Sequence, residues 1–120
     1  MGSPISFLPL LHYSFLEFSR PLAKYIAQQG HDLYGKNDLK FVEAVFRLLR
    51  EEFGYRPALT PLQFLSNGFS ERKVILIVDV VKLCKRKHNE LYKAKMRLEH
   101  RQKVAAQIRH EYSPRNLVHS

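Results

Sequence analysis

The stretch from residue 36 to residue 91 constrains the fold most, because it carries successive helix start and stop signals around periodic apolar residues. Asn37 can cap a helix, since its side-chain oxygen can accept from a free backbone N–H of the first turn. Gly54 supplies the left-handed residue that often ends one. Between them, apolar residues recur at steps of three and four, which is typical of one face of a helix: Leu39, Val42, Val45, Phe46, Leu49 and Phe53.

Two more helices are predicted in the same stretch. Thr60 and Gln63 form a capping box around Pro61, which predicts a short helix that ends at Asn67-Gly68. Ser70 is placed to cap the next helix. Its apolar pattern predicts a buried face at positions 74, 77, 78, 81 and 84, and a solvent-facing stripe at Ile75, Asp79, Lys82 and Arg86. The predicted fold class is therefore all-α.

The residues before this stretch predict a lead-in. Residues 2–18 contain Pro4 and Pro9 and lack a sustained period, so we expect an extended segment that wraps the core. Its expected anchors are Leu8, Leu10, Tyr13, Phe15 and Phe18. Ser19 can then cap a helix whose inward face is Leu22, Tyr25 and Ile26, and which Gly30 ends.

The residues after Lys87 keep a helical pattern but lose the apolar face. Leu91, Leu98 and Ala105 are spaced by sevens, which is about half of what a coiled-coil seam needs, so a helix–helix contact stays open. Ser113-Pro114 is expected to end the helix. We therefore predict a domain over residues 1–91 and a basic helical extension and tail over residues 92–120.

Charge is distributed unevenly along the 120 residues, whose net charge is +9. Residues 1–81 contain nine Lys/Arg and eight Asp/Glu, a net of +1, whereas residues 82–120 contain eleven and three, a net of +8. We call residues 82–120 the basic arm. Its charge predicts an acidic partner surface.

The Lys85-Arg86-Lys87 cluster is the sharpest feature of the basic arm. Three interpretations are open: a solvated helix turn, a nucleic-acid or nuclear-localisation element, and a contact to an acidic protein surface. Nucleic-acid binding is disfavoured, because the arm offers only Tyr92 and Tyr112 for stacking on bases.

Catalytic, cofactor and metal chemistry find no support in the sequence. All five glycines are single, so there is no glycine-rich phosphate loop, and no nucleophile motif occurs. The six histidines show no metal-ligand spacing with another histidine, a cysteine or an acid on one face. Cys84 is the sole cysteine, which excludes an internal disulfide and fits a reducing compartment. We predict no enzyme, no cofactor, no metal and no membrane segment, since no apolar run approaches the roughly 18 residues that span a bilayer.

One family resemblance begins inside the organising stretch. The run KNDLKFVEAVFRLLREEFGYRPALTPLQFL, the GFSERK turn and the KRKHNEL end resemble the N-terminal domain of the centrosomal protein of 44 kDa family. The likeness starts near Gly2-Ser3-Pro4, passes through Leu8-Pro9 and Tyr13-Ser14-Phe15, and covers about three quarters of the chain. The resemblance implies a calponin-homology-like helical domain that binds microtubules at centrioles and the centrosome.

The resemblance also suggests which residues contact tubulin. A microtubule lattice is acidic, so the basic positions in and beside the matching stretch are the candidates: Lys36, Lys40, Arg47, Arg50, Arg56, Lys73, Lys85, Arg86 and Lys87. Arg47 and Arg50 lie three residues apart on one predicted helix and should be neighbours. The family's domain carries a further amphipathic segment, including its first helix, before Gly2, and we expect a domain without it to expose part of its core.

The predicted function is thus that of a non-enzymatic microtubule-associated protein. Its expected partners are the tubulin lattice and other centriolar or axonemal proteins. Its expected location is the cytoplasm and cytoskeleton, at the centrosome, the centriole and the axoneme of the cilium. The alternatives are a small basic nucleic-acid-binding protein and a scaffold that binds only other centriolar proteins.

Overall fold

This computed structural model describes the backbone of residues 4–112 and the side chains of residues 7–112. Within those residues the chain forms five α-helices and one π-helical turn. The helices are α1 (Pro4–His12), α2 (Arg20–Gln28), α3 (Asp38–Phe53), α4 (Pro61–Leu65) and α5 (Ser70–Glu111), and the π-helical turn (Tyr13–Glu17) follows α1 directly. No strand occurs within the described residues, so the predicted all-α class is confirmed for them.

The N-terminal segment is helical, and the prediction of an extended segment was wrong. Pro4 stands at the first helical position, where its missing N–H costs nothing, and Pro9 is accommodated inside α1. Burial of Leu11 and Phe15 supplies the compensating stabilisation. Of the five expected anchors, Phe15 is buried and Leu8 and Phe18 are half-buried, but Leu10 and Tyr13 are exposed.

Helix α2 begins as predicted. The Ser19 hydroxyl accepts from the backbone N–H of Leu22 at 3.2 Å, which caps the helix. Leu22 and Ile26 are buried and Tyr25 is half-buried, so the predicted inward face is confirmed. Gly30, with φ of +85°, follows the end of the helix.

Helix α3 is the centre of the core. Asn37 caps it by accepting from the backbone N–H of Lys40 at 2.9 Å. Gly54 ends it in the left-handed region, and the next N–H, of Tyr55, donates to the Leu49 carbonyl at 2.9 Å. Its buried residues are Phe41, Val42, Val45, Phe46, Leu48 and Leu49.

Helix α4 is a single short segment held by its predicted capping box. The Thr60 hydroxyl accepts from the Gln63 N–H at 3.1 Å, and the Gln63 side chain accepts from the Thr60 N–H at 2.9 Å. Phe64 is fully buried and meets Phe46 of α3 edge to face, with ring centres 6.3 Å apart.

The buried stripe of helix α5 agrees with the prediction only in part: Cys84 is buried and Ile77 and Val81 are half-buried, as predicted. Its buried residues are Lys73, Leu76, Val80 and Cys84, whereas the predicted Val74 and Val78 are 48% and 45% exposed. The run from 74 to 78 is apolar on every side, so periodicity alone could not select the face.

The start of α5 also differs from the prediction. Ser70 is the first helical residue rather than the cap, and Phe69 before it has a positive φ of 56°.

The solvent-facing stripe of α5 was predicted more accurately. Ile75, Lys82 and Arg86 are exposed, while Asp79 is half-buried. The helix reaches Glu111, as predicted, and the expected break at Ser113-Pro114 lies outside the described residues. No described helix combines the length and apolar character needed to cross a membrane.

The chain divides into two units, Met1–His88 and Asn89–Ser120. The first unit contains the core, in which α1, α2, α3, α4 and the first part of α5 bury their apolar residues together. The second unit consists, in its described part, of the remainder of α5.

Candidate functional site

The outer face of α3 carries the densest group of the predicted cations in the first unit. The opposite face of the helix is committed to the core, so Lys40, Glu43, Arg47 and Arg50 are left in solvent. The 3.6-residue repeat brings these positions onto one side of the helix. Arg47 and Arg50 therefore share a face, as predicted.

An open cleft of about 540 Å³ lies beside this face. We call it the α3 cleft. Its walls come from the α2–α3 connection, from α3 and from the first residue of α4: Gly30, His31, Asp32, Lys36, Glu43, Ala44, Phe46, Arg47, Arg50 and Pro61. Lys36 thus lines the same cleft as Arg47 and Arg50, and Asp32 and Glu43 line it as well. The lysine and arginine side chains that line the cleft therefore outnumber its acidic side chains by three to two.

Arg47 is held in place by a neighbour on its own helix. Its Nε donates to Glu51 Oε1 at 3.0 Å, one turn further along α3. This hydrogen bond holds the pKa of the Glu51 carboxyl below its ordinary value, more than the slight burial of the group raises it. Both side chains are well exposed, so the pair orients the guanidinium and adds little stability.

A second polar network fixes the α2–α3 connection to α3. His31 Nε2 lies 2.9 Å from Glu52 Oε2 and 3.5 Å from Glu51 Oε2. The Tyr25 hydroxyl donates to the other Glu52 oxygen at 3.3 Å. The His31 side chain is 6% exposed and that of Glu52 is 15% exposed, so the network sets the position of one wall of the α3 cleft.

The same network contains a possible metal-ligand group that the sequence spacing of the histidines did not predict. One ligand atom each from His31, Glu51 and Glu52 lies within 4.8 Å of the others, so the three could hold a metal ion. Each carboxylate also accepts a hydrogen bond from a protein donor, Arg47 for Glu51 and Tyr25 for Glu52. The arrangement is therefore explained by the protein's own contacts.

Lys73 is not a surface residue, which corrects its place among the predicted contacts. It is fully buried, and its Nζ donates to the Ser66 carbonyl in the α4–α5 connection at 2.5 Å. Burial lowers the pKa of its ammonium group. Lys73 therefore holds the α4–α5 connection, and its side chain is not exposed at the surface of the first unit.

The remaining predicted cations also differ in their exposure to solvent. Lys40, Arg56, Lys85 and Arg86 are exposed. Lys87 is half-buried, with its Nζ 4.5 Å from the centre of the Tyr25 ring on α2. The Lys85-Arg86-Lys87 cluster thus presents two of its cations to solvent and directs the third toward the core.

Sequence reasoning missed the residues that tie these elements together. His88 Nδ1 lies 2.6 Å from the Ser19 hydroxyl, 69 residues away along the chain. His31 and Glu52 are 21 residues apart. Such pairs have no signal in local spacing, because only the tertiary fold brings them together.

Comparison with known proteins decides the family. The family model described as "Centrosomal spindle body, CEP44" matches residues 1–98. This chain belongs to the CEP44 family. Proteins named centrosomal protein of 44 kDa from Xenopus tropicalis, Homo sapiens and Bos taurus are 43%, 40% and 38% identical to it over 90 residues.

Those 90 residues are 75% of this chain and 23% of each CEP44 relative, so the chain spans less than a quarter of the length of the curated relatives it matches. The family match covers α1 to α4 and the first part of α5. The resemblance drawn from the sequence is thereby confirmed, and membership of the CEP44 family supports the predicted centrosomal and cytoskeletal location.

Proposed function

We propose that this chain is a non-enzymatic, microtubule-associated protein of the centrosome and centriole. It docks on the acidic tubulin lattice through exposed cations of its first unit, and the basic arm adds electrostatic attraction. Two facts support the proposal: the chain belongs to the CEP44 family, and its net charge is +9.

The convergence of Lys36, Arg47 and Arg50 on the α3 cleft carries the proposal. These residues come from two separate segments of the chain, and all three are exposed. A convex acidic segment could enter the cleft and meet three cations at once. Lys40, Arg56, Lys85 and Arg86 are exposed candidates outside it, while Lys73 is removed from the docking surface by its burial.

The wider proposal follows the family. Residues 1–91 form a calponin-homology-like domain, and residues 92–120 form the basic extension. Other centriolar or axonemal proteins are further partners, in the cytoplasm, at the centrosome and centriole, and at the axoneme of the cilium.

Co-sedimentation with microtubules over a salt series tests this function. The cleft variant reverses Lys36, Arg47 and Arg50 to Glu, and the control variant reverses Lys24, Arg72 and Lys82, which are equally exposed and lie outside the cleft. Net charge falls equally in both. At about 0.15 M salt, where charges beyond about 8 Å are screened, the cleft variant should lose about tenfold in affinity and the control much less.

Equal losses in the two variants would show that binding follows net charge alone and would refute the cleft as the recognition element. Absence of pelleting by the folded full chain at low salt would refute microtubule binding. Competition by duplex DNA as effective as competition by soluble tubulin would favour the nucleic-acid alternative.

A further inference from the structure

The second unit carries a stripe of regularly spaced residues along α5. Seven positions follow one another at alternating steps of three and four: Leu91, Ala94, Leu98, Arg101, Ala105, Ile108 and Tyr112. We call this stripe the seam. An alternation of three and four averages 3.5 residues, the repeat that keeps one stripe facing a partner helix. Six of its seven residues are apolar or aromatic.

The seam is largely exposed in the single chain. Leu98, Ile108 and Tyr112 are 55%, 50% and 68% exposed, and Leu91 is half-buried. In the first unit, Ile77, Val80 and Cys84 of α5 follow the same alternation, and there Val80 and Cys84 are fully committed to the core. The spacing that packs one part of α5 is therefore also present in the other part, where most of its side chains among the described residues are exposed.

Charge identifies the kind of helix that fits. Residues 91–112 contain six Lys/Arg and two Glu, a net of +4. Among the positions of residues 91–112 that flank the seam, Lys95, Arg97 and Arg109 are cationic and Glu111 is the one acid, and Arg101 lies within the seam. Within residues 7–112, Arg101 makes no ion pair. A second copy of the chain would bring +4 against +4 and place an uncompensated Arg101 in the contact.

We propose that the seam is a docking surface for an acidic amphipathic helix of a partner protein. The partner presents apolar residues to Leu91, Leu98, Ala105 and Ile108, carries Glu or Asp at its flanking positions, and places one carboxylate opposite Arg101. Opposite charges at flanking positions select the partner and fix the register. This surface lies outside the α3 cleft and does not depend on microtubule binding.

Binding of a synthetic helical peptide to the full chain, followed by fluorescence anisotropy, tests the proposal. The probe has three heptads with Leu at the two seam positions, Glu at the flanking positions, and one Glu in the seam to meet Arg101. An otherwise identical peptide with Lys at the flanking positions is the control. The acidic peptide should bind and the basic peptide should not.

Leu98→Ala and Met96→Ala form a matched pair, because both residues are exposed apolar side chains on the same helix and only Leu98 lies in the seam. Leu98→Ala should weaken binding by about tenfold, and Met96→Ala should leave it nearly unchanged. Arg101→Glu should weaken binding of the acidic peptide. Replacing the peptide's seam Glu by Arg should restore binding to the Arg101→Glu variant.

Equal effects of Leu98→Ala and Met96→Ala would overturn the proposal, since attraction would then be general rather than directed to the seam. Sedimentation of the chain as a dimer that Leu98→Ala dissociates would assign the seam to a second copy instead. Binding to vesicles of anionic phospholipid that requires Leu98, with no binding to the acidic peptide, would assign it to a membrane surface.

Discussion

The Lys87 ammonium nitrogen lies 4.5 Å from the centre of the Tyr25 ring, so one cation of the Lys85-Arg86-Lys87 cluster connects α5 to α2. The Tyr25 hydroxyl in turn donates to Glu52, which lies 2.9 Å from His31. A row of polar contacts therefore runs from α5 through α2 and α3 to the wall of the α3 cleft.

Lys87→Ala should lower the free energy of unfolding by about 1 kcal/mol, because a cation over an aromatic ring contributes about that much at a partly exposed site. Arg86→Ala is the matched control, since Arg86 is exposed and its removal should change stability by less than about 0.5 kcal/mol. Urea denaturation followed by circular dichroism measures both. Equal stabilities of the two variants would contradict the contact.

Lys73→Ala should cost about 2–4 kcal/mol in the free energy of unfolding, because it opens a cavity and leaves the Ser66 carbonyl without its donor. Lys73→Met retains most of the buried volume and should cost less. Denaturant titration compares the two, and co-sedimentation with microtubules should not distinguish folded Lys73→Met from the original chain. Weaker co-sedimentation at unchanged stability would mean that Lys73 contacts the lattice after all.

The Cys84 thiol should resist alkylation in the native protein. Burial raises its pKa to about 12, and the thiolate is the reactive form. Iodoacetamide at pH 8 should modify it about a thousandfold more slowly than an ordinary thiol with a pKa near 8.5. Mass spectrometry follows the reaction, with Met96→Cys in a Cys84→Ala background as the exposed control. Comparable rates at the two sites would show that Cys84 is accessible.

Tyr55 should make stability fall as pH rises above about 10, the ordinary pKa of tyrosine. The Tyr55 hydroxyl donates to an Asp79 carboxylate oxygen at 2.6 Å. In the folded state, burial raises the pKa of Tyr55 most, and the hydrogen bond to Asp79 and the charge of Asp79 raise it further. The unfolded chain therefore releases a proton that the folded chain keeps, which lowers the free energy of unfolding by up to about 1.4 kcal/mol per pH unit.

Tyr55→Phe should lower stability at pH 8 and should show a shallower decline above pH 10 than the original chain. Denaturant titrations at several pH values between about 8 and 11 measure this, within the range where tyrosine begins to titrate. Cys84 contributes a slope of the same sign in both proteins, so the difference isolates Tyr55. Parallel declines in the two proteins would contradict the assigned shift.

The helices that sequence predicted well are those with chemical start and stop signals. Asn37 and Gly54 bound α3, and the Thr60–Gln63 capping box begins α4, because these side chains act on backbone groups within a few residues. The prediction failed at residues 4–17, where Pro9 argued against a helix that tertiary burial of Leu11 and Phe15 stabilises. Local signals are decisive only where packing does not override them.

The candidate site was predictable in type and only partly in position. Composition identified the cations, and spacing placed Arg47 beside Arg50. The connection that brings Lys36 to them, and the burial of Lys73, depend on contacts between distant segments. On α5, an entirely apolar run from Val74 to Val78 offered no contrast from which to choose the buried side.

The π-helical turn at Tyr13–Glu17 is a place where we expect the fold to tolerate the loss of one residue. The Phe18 N–H donates to the Tyr13 carbonyl at 2.8 Å, across one more residue than an α-helical turn contains. Deleting one residue here would let the turn wind as an α-helix with the flanking side chains still facing the core. The same deletion within α3 would rotate every later side chain by about 100°. Single-residue insertions and deletions among relatives should therefore collect at this turn.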